Sequence, residues 1–315
     1  MNARRGVALL VIVAASAAAQ APAPQPPPAP AGDDLYKLGK QLFDELAPPD
    51  VKEQFEFPSK EQWDAFAVRL QRALEGEDLS ALAGYEDETR AALVALRTIP
   101  GYEDYADWLE QRLDEISVAR EITAPRPPTR PLPPRPPSIA PAVPYYDLWL
   151  ARVRNRPAPA RAAALMPRLR AAFVAEGVPP ELAWLAEAES SLNPAARSPA
   201  GAKGLFQLMP DTAHALGLGT FLPDERADPE KSAHAAARYL RTLHGKFGGW
   251  PLAFAAYNAG EGRVARLLAS RHANDFAGIA PALPAETRMY VPKVCALVAV
   301  RAGVAPEKIP PPRGG

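Results

Sequence analysis

Two glutamates stand two residues apart in the stretch AEAESSLNPAARSPAGAKGLFQLMP, Ala186 to Pro210. A carboxyl group there can do general acid/base work, giving a proton to a leaving oxygen and later retrieving one, if it is still protonated near neutral pH. Spacing separates the two candidates. Pro180 opens a helical segment, GVPPELAWLAEAESS, in which Leu182, Leu185, Ala186 and Glu189 fall at i, i+3, i+4 and i+7 and share the stripe that should face the core. Glu187 lies about 200° round the helix from Glu189, at ~100° per residue, and is expected to look outward. Glu181 belongs to the first turn, where the helix dipole suits a negative charge. Only Glu189 is left unexplained by a plain surface helix.

Two effects should raise the pKa of Glu189: an apolar wall disfavours its charged form, and the nearby helix C-terminus adds partial negative charge. A buried glutamate can equally belong to a structural ion pair, so periodicity alone leaves both readings open. The residues that follow favour chemistry. Asn193-Pro194 should stop the helix. SPAGAKG is small and glycine-bearing, so its backbone can pass close to a ligand, and LFQLMP brings Gln207 and Met209 beside apolar residues. Apolar walls with a few placed polar groups suit a groove for sugar rings, although Phe206 and Met209 read equally well as core.

A carboxyl group placed this way needs a scaffold, and the surrounding pattern is helical. In PEKSAHAAARYLRTLHGKF, Ala233, Ala236, Ala237, Leu240 and Leu243 share one face, with Asp228 as N-cap and Pro229 at the first helical position. WPLAFAAYNAG is apolar nearly all round and predicts a short buried helix ending near Gly260. Asp211 reads as the N-cap of TAHALG. No strand alternation of convincing length occurs, so the fold is expected to be mainly α, with room only for a minor hairpin in the loops. Further upstream, Ser59 and Gln62 form a capping-box arrangement ahead of a stripe of Trp63, Phe66, Val68, Leu70 and Leu74. Tyr102, Tyr105, Leu109 and Leu113 are also helically spaced, and the charged residues among them read as a solvated surface.

The chain has 315 residues, enough for two domains, and 38 are proline, concentrated in APAPQPPPAPAG and TAPRPPTRPLPPRPPSIAPAVP. Such stretches favour stiff, extended spacers. The expected organisation is a signal peptide at 1–19, a Pro/Ala-rich linker at 20–32, a helical N-terminal domain at 33–122, a Pro-rich linker at 123–144, a catalytic domain at 145–306 and a disordered tail at 307–315. Arg4 and Arg5, the apolar run from Gly6 to about Ala15 and the alanines before Gln20 form the signal pattern, which implies export to the periplasm or cell envelope. No cysteine near that cleavage point could carry a lipid anchor. Lys+Arg and Asp+Glu are both 36, so no net field recruits nucleic acid. His214, His234, His244 and His272 form no HExxH pair, and Cys295, the sole cysteine, reads as core, so neither a metal nor an intramolecular disulfide is expected.

Taken in order, Glu189-Ser190 with Asn193-Pro194, Ser198-Pro199, Gly201-Ala202, Gly204-Leu205-Phe206-Gln207 and Met209-Pro210 resemble the signature of the lytic transglycosylase SLT domain, in the goose-type lysozyme-like superfamily. AFAAYNAGEGRV resembles its AYNxG motif. LPAETRMYVPKV resembles its ET-x-x-YV element, with the proline as in members similar to membrane-bound lytic transglycosylase D. The resemblance spans roughly Leu165 to Ala305, about half the chain, and does not reach Asp33 to Glu121. It implies a lysozyme-like helical catalytic domain, with Glu189 as the single catalytic acid/base and Ser190, Gln207, Met209, Tyr257 and Asn258 lining the substrate groove. Tyr257 would approach the glutamate and hold its orientation. Glu286 and Tyr290 would stand behind the groove, although Glu286 is equally readable as a structural ion-pair member. Pro292, inside a helical pattern, predicts a kink.

Ordinary glycosidases use two carboxylates, and no second acid in the Glu189 segment has a comparable context. The resemblance implies non-hydrolytic cleavage of the β-1,4 bond between N-acetylmuramic acid and N-acetylglucosamine in peptidoglycan, giving 1,6-anhydro ends without metal or organic cofactor. Two rivals remain: a lysozyme-like hydrolase on the same fold, and a non-catalytic peptidoglycan-binding protein, against which Glu189, Gln207, Tyr257 and Asn258 together argue. The N-terminal helical part could dock a partner, regulate access or act as a spacer; its sequence names no partner.

Overall fold

The structure, a computed structural model, describes residues 60–97, 103–125, 143–198 and 200–314. The expected signal segment and first linker, Ser59, Tyr102 and most of the second proline-rich stretch lie outside these residues. Among the described residues, four helices form the N-terminal part: α1 (Lys60–Glu75), α2 (Leu79–Ala83), α3 (Glu86–Arg97) and α4 (Glu103–Thr123). Phe66, Leu70 and Leu74 bury the core face of α1, while Val68 is exposed. Asp78 caps α2 by accepting from the Ser80 amide at 2.8 Å.

Next come α5 (Tyr146–Arg154), α6 (Ala162–Ala175), a 3-10 turn at Pro180–Trp184, α7 (Leu185–Ser190) and α8 (Pro210–Ala215). After a second 3-10 turn at Glu225–Ala227 follow α9 (Pro229–Phe247), α10 (Trp250–Ala259), α11 (Glu261–Arg271), α12 (Phe276–Ile279) and α13 (Ala285–Ala302). The fold is mainly α; among the described residues only isolated bridges pair Lys203 with Arg197 and with Leu208. Asp228 caps α9, accepting from the Glu230 and Lys231 amides, with Pro229 in the first turn. Met209, not Asp211, is the N-cap of α8: Pro210 takes the first helical position and pushes Asp211 into the first turn.

Most of α13 is buried, and α5, α7, α10, α1 and α4 all pack on it. Pro292 sits inside this helix without ending it, and Cys295 is buried in the core. No helix among the described residues is long and apolar enough to cross a membrane. At the C-terminus, the expected disordered tail instead lies against the helices. Ile309 is buried, the Trp250 indole N–H donates to the Pro310 carbonyl at 2.9 Å, and the Arg313 amide donates to the Gly177 carbonyl at 2.7 Å. Proline content alone could not reveal these partners.

Helix α7 departs most from its sequence pattern. It has six residues, begins only after the Pro180–Trp184 turn, and ends at Ser190, three residues before Asn193. Ser191 (φ 50°) and Leu192 (φ 59°) are left-handed, a conformation that costs free energy for non-glycine residues and is held here by the full burial of Leu192. A helix this short and this enclosed has no solvent face. Glu187, expected to look outward, is therefore buried, and Arg301 of α13 donates to both its oxygens at 2.7 and 2.9 Å. The same guanidinium donates to the Arg156 and Pro157 carbonyls, tying α7, α13 and the loop after α5 together. Replacing Arg301 with methionine should strand a buried carboxylate and cost about 3–5 kcal/mol, read as a lowered urea midpoint with an unchanged slope.

Candidate active site

Glu189, the penultimate residue of α7, lines a cleft of about 220 Å³. One wall comes from the loop after α7 and from α10: Ser198, Ala202, Gln207, Met209, Tyr257 and Asn258. The other comes from the N-terminal helices, with Gln71 and Leu74 of α1 and Trp108 and Arg112 of α4, while Glu286 of α13 joins them at the base.

Backbone geometry sets the loop wall. Gly204 has φ +81°, and a Cβ there would meet the Arg226 carbonyl oxygen at 1.9 Å, so only glycine lets the two backbones cross. Buried Arg226 braces the crossing: it donates to the Gly201 and Leu208 carbonyls at 2.9 and 3.0 Å and pairs with Asp224, which Lys203 also engages at 3.0 Å. Burial alone would raise the Asp224 pKa, but these cations hold it down at about 2. Asp224 read as part of a polar loop in the sequence; here it is the anchor of the wall. Phe206 is fully buried, 5.7 Å from the Phe173 ring of α6, and belongs to the core.

The expected site residues separate into three groups. Gln207, Met209, Tyr257 and Asn258 reach the cleft. Gln207 is held by donating to the Gly204 carbonyl at 2.9 Å, Met209 is 42% exposed, and Asn258 accepts from Thr287 at 2.6 Å. Ser190 does not reach the cleft: it is fully buried and donates to the Leu205 carbonyl at 2.9 Å, pinning α7 to the loop. The third group concerns the glutamate itself. Tyr257, expected to hold its orientation, donates to the Phe206 carbonyl at 2.8 Å, and it is Tyr290 of α13 that donates a short hydrogen bond to Glu189 Oε1. Burial and the nearby glutamate keep both phenols protonated, their pKa values raised well above the ordinary range.

The charge around Glu189 is balanced. Burial is the largest influence and raises its pKa; the Tyr290 hydrogen bond, Arg112 and Lys293 lower it, and Glu286 raises it again, for a final value of about 7 against an ordinary 4.5. Arg112 donates to Glu115 at 2.8 Å and pairs with Glu286 at 2.9 Å, and Lys293 pairs with Glu115 at 3.2 Å. Gln111, its amide oriented to satisfy both groups, donates to the Ala188 and Glu189 carbonyls at 3.1 Å each, capping α7. Sequence reasoning missed Gln111, Arg112 and Glu115, because a polar residue on a long charged helix reads as solvated until its partner surface is known. A carboxyl group with a pKa near neutrality, held by a phenol in a partly apolar cleft, is suited to proton transfer in both directions.

Residues 170–279 match the family described as the Transglycosylase SLT domain. The membrane-bound lytic murein transglycosylase D of Escherichia coli strain K12 is 40% identical over 126 residues, covering 38% of this chain and 27% of that protein. The soluble lytic murein transglycosylase of the same strain is 38% identical over 120 residues, covering 36% of this chain and 19% of that protein. The peptidoglycan transglycosylase gp16 of Escherichia phage T7 is 44% identical over 103 residues, covering 31% of this chain and 8% of that protein. The chain thus spans about a quarter of the first relative's length.

Two predictions follow from this geometry. Gly204→Ala should unfold the loop wall or displace Arg226, lowering the melting temperature by several degrees on a cost of about 1–3 kcal/mol or more. Because the folded pKa of Glu189 is raised, its contribution to stability is fully present below the unfolded value of 4.5 and is lost as pH rises through about 7. Glu189→Gln should therefore match the wild type in urea unfolding at pH 4 and exceed it at pH 8, by at most about 3 kcal/mol. The stretch that matches the Transglycosylase SLT domain, residues 170–279, takes in Glu189, Gln207, Met209, Tyr257 and Asn258 of this cleft.

Proposed function

We propose that this protein is an exported lytic transglycosylase that cleaves the glycan strands of peptidoglycan, with Glu189 as sole general acid/base. The observation that carries this reading is the cleft-facing Glu189, held by Tyr290 and with a pKa of about 7. Similarity to relatives named as murein and peptidoglycan transglycosylases supports the choice of substrate.

Tyr290 occupies Oε1, leaving Oε2 to carry the proton. Protonated Glu189 gives it to the glycosidic oxygen between N-acetylmuramic acid and N-acetylglucosamine, while the substrate's own N-acetyl group stabilises the anomeric centre. The resulting carboxylate then takes the proton of the muramoyl C6 hydroxyl, whose oxygen bonds to the anomeric carbon. A 1,6-anhydro product forms and no water is consumed. Glu286 lines the same cleft, but its carboxylate is engaged by Arg112, so it acts on Glu189 through charge.

Hydrolysis is the second reading, and Glu286 is the observation in its favour, since a second acid in the cleft could activate water. Mass spectrometry of muropeptides released by the full chain separates the two. Anhydromuramoyl ends are expected, whereas reducing ends alone would assign the protein as a hydrolase. Glu189→Gln should reduce release by about 10²–10⁴-fold. Wild-type activity should decline above about pH 7, as Glu189 loses the proton it must donate.

A further inference from the structure

The family match covers residues 170–279, yet one of the charges that acts on Glu189, that of Arg112, comes from further upstream. We propose that helix α4 is part of the catalytic centre and that Arg112 is a positioning residue for Glu189, holding Glu286 by an ion pair and presenting a fixed positive charge to the reacting carboxyl group. This rests on the reading of Glu189 as the acid/base.

A row of polar contacts holds α4 against the matched domain and its neighbours. Asp107 accepts from Asn193 at 3.3 Å just beyond α7, Gln111 caps the α7 carbonyls, and Arg112 reaches Glu286. Asp114 takes both terminal nitrogens of Arg156 at 2.7 and 2.9 Å, and Glu115 takes buried Lys293. Arg112 itself is 16% exposed and borders the cleft between Trp108 and Glu286, with its guanidinium 5.6 Å from the Trp108 ring centre. A surface spacer would not bury Gln111 and Glu115 in this way. Burial works against the Arg112 charge, but Glu115, Glu286 and Glu189 outweigh it, so the guanidinium stays protonated at any working pH.

The groups facing Glu189 are Arg112 from α4, Glu286, Tyr290 and Lys293 from α13, and Tyr257 from α10. Glu115 of α4 faces the two cations instead. Within this set Arg112 favours the carboxylate that remains after proton delivery, while Glu286 favours the acid that precedes it. Their ion pair ties these opposed influences to one geometry.

The test uses full-length Arg112→Met, Arg112→Lys, Glu286→Gln and the Arg112→Met/Glu286→Gln double variant, each checked for native melting. The Glu189 carboxyl is titrated by carbon-13 NMR, its resonance assigned from Glu189→Gln. Losing the Arg112 charge should raise the Glu189 proton affinity about tenfold, Glu286→Gln should lower it, and the double variant should return close to wild type. Arg112→Lys should recover part of the shift. On peptidoglycan, the alkaline limb of kcat should move with the NMR midpoint while KM stays nearly constant. If Arg112→Met does not fold, the charge-balanced double variant compared with Glu286→Gln still isolates the arginine. Unmoved midpoints in natively folded variants would overturn the proposal. Midpoints that move as expected, with Glu189→Gln still active, would uphold the charge role of Arg112 and remove the acid/base reading instead.

Discussion

A side chain that keeps a proton near neutral pH must be withdrawn from water, and one that passes the proton to a substrate must still be reached from a cleft. Glu189 meets both demands by sitting at the end of a six-residue helix enclosed by α13 and α4. Desolvation drives its pKa upward, and the Tyr290 hydrogen bond holds one of its oxygens, while the residue still lines the cleft. Most other features of the molecule either keep that helix in place or shape the cleft beside it.

The helix is costly to hold. It is too short to be stable alone, it begins from a 3-10 turn, and it ends in two left-handed residues. What holds it is a set of satisfied polar contacts on every side. Arg301 neutralises Glu187, Gln111 caps the terminal carbonyls, Ser190 is bonded to Leu205, and Leu192 is fully buried. Each is a buried polar or strained element whose cost is offset only by its specific partner, so the site and the stability of the surrounding core are one problem.

Division of the chain at its proline-rich stretches gave the N-terminal helices no evident task. In the structure α1 and α4 lie against α13 and supply a wall of the cleft. Groove geometry and the charge at its base therefore arise between two parts of the chain that flank the second proline-rich stretch in sequence.

Several features were legible in the order of residues. The helical stripe picked out Glu189, the Asp228-Pro229 cap placed a long helix, the apolar run from Trp250 to Ala259 announced a buried one, and the first two of the three motifs hold Gln207, Met209, Tyr257 and Asn258, which line the cleft. These are local signals: periodicity, cap chemistry and motif spacing act within a few turns of chain. What only the tertiary structure decided was partnership. It buried Glu187 on Arg301, gave the glutamate Tyr290 in place of Tyr257, turned Ser190 inward and brought Gln111 and Arg112 to the site. A charged or polar side chain carries no mark in sequence of whether water or a distant residue will satisfy it. That choice is made when helices pack and desolvation forces each buried group to find its counterpart.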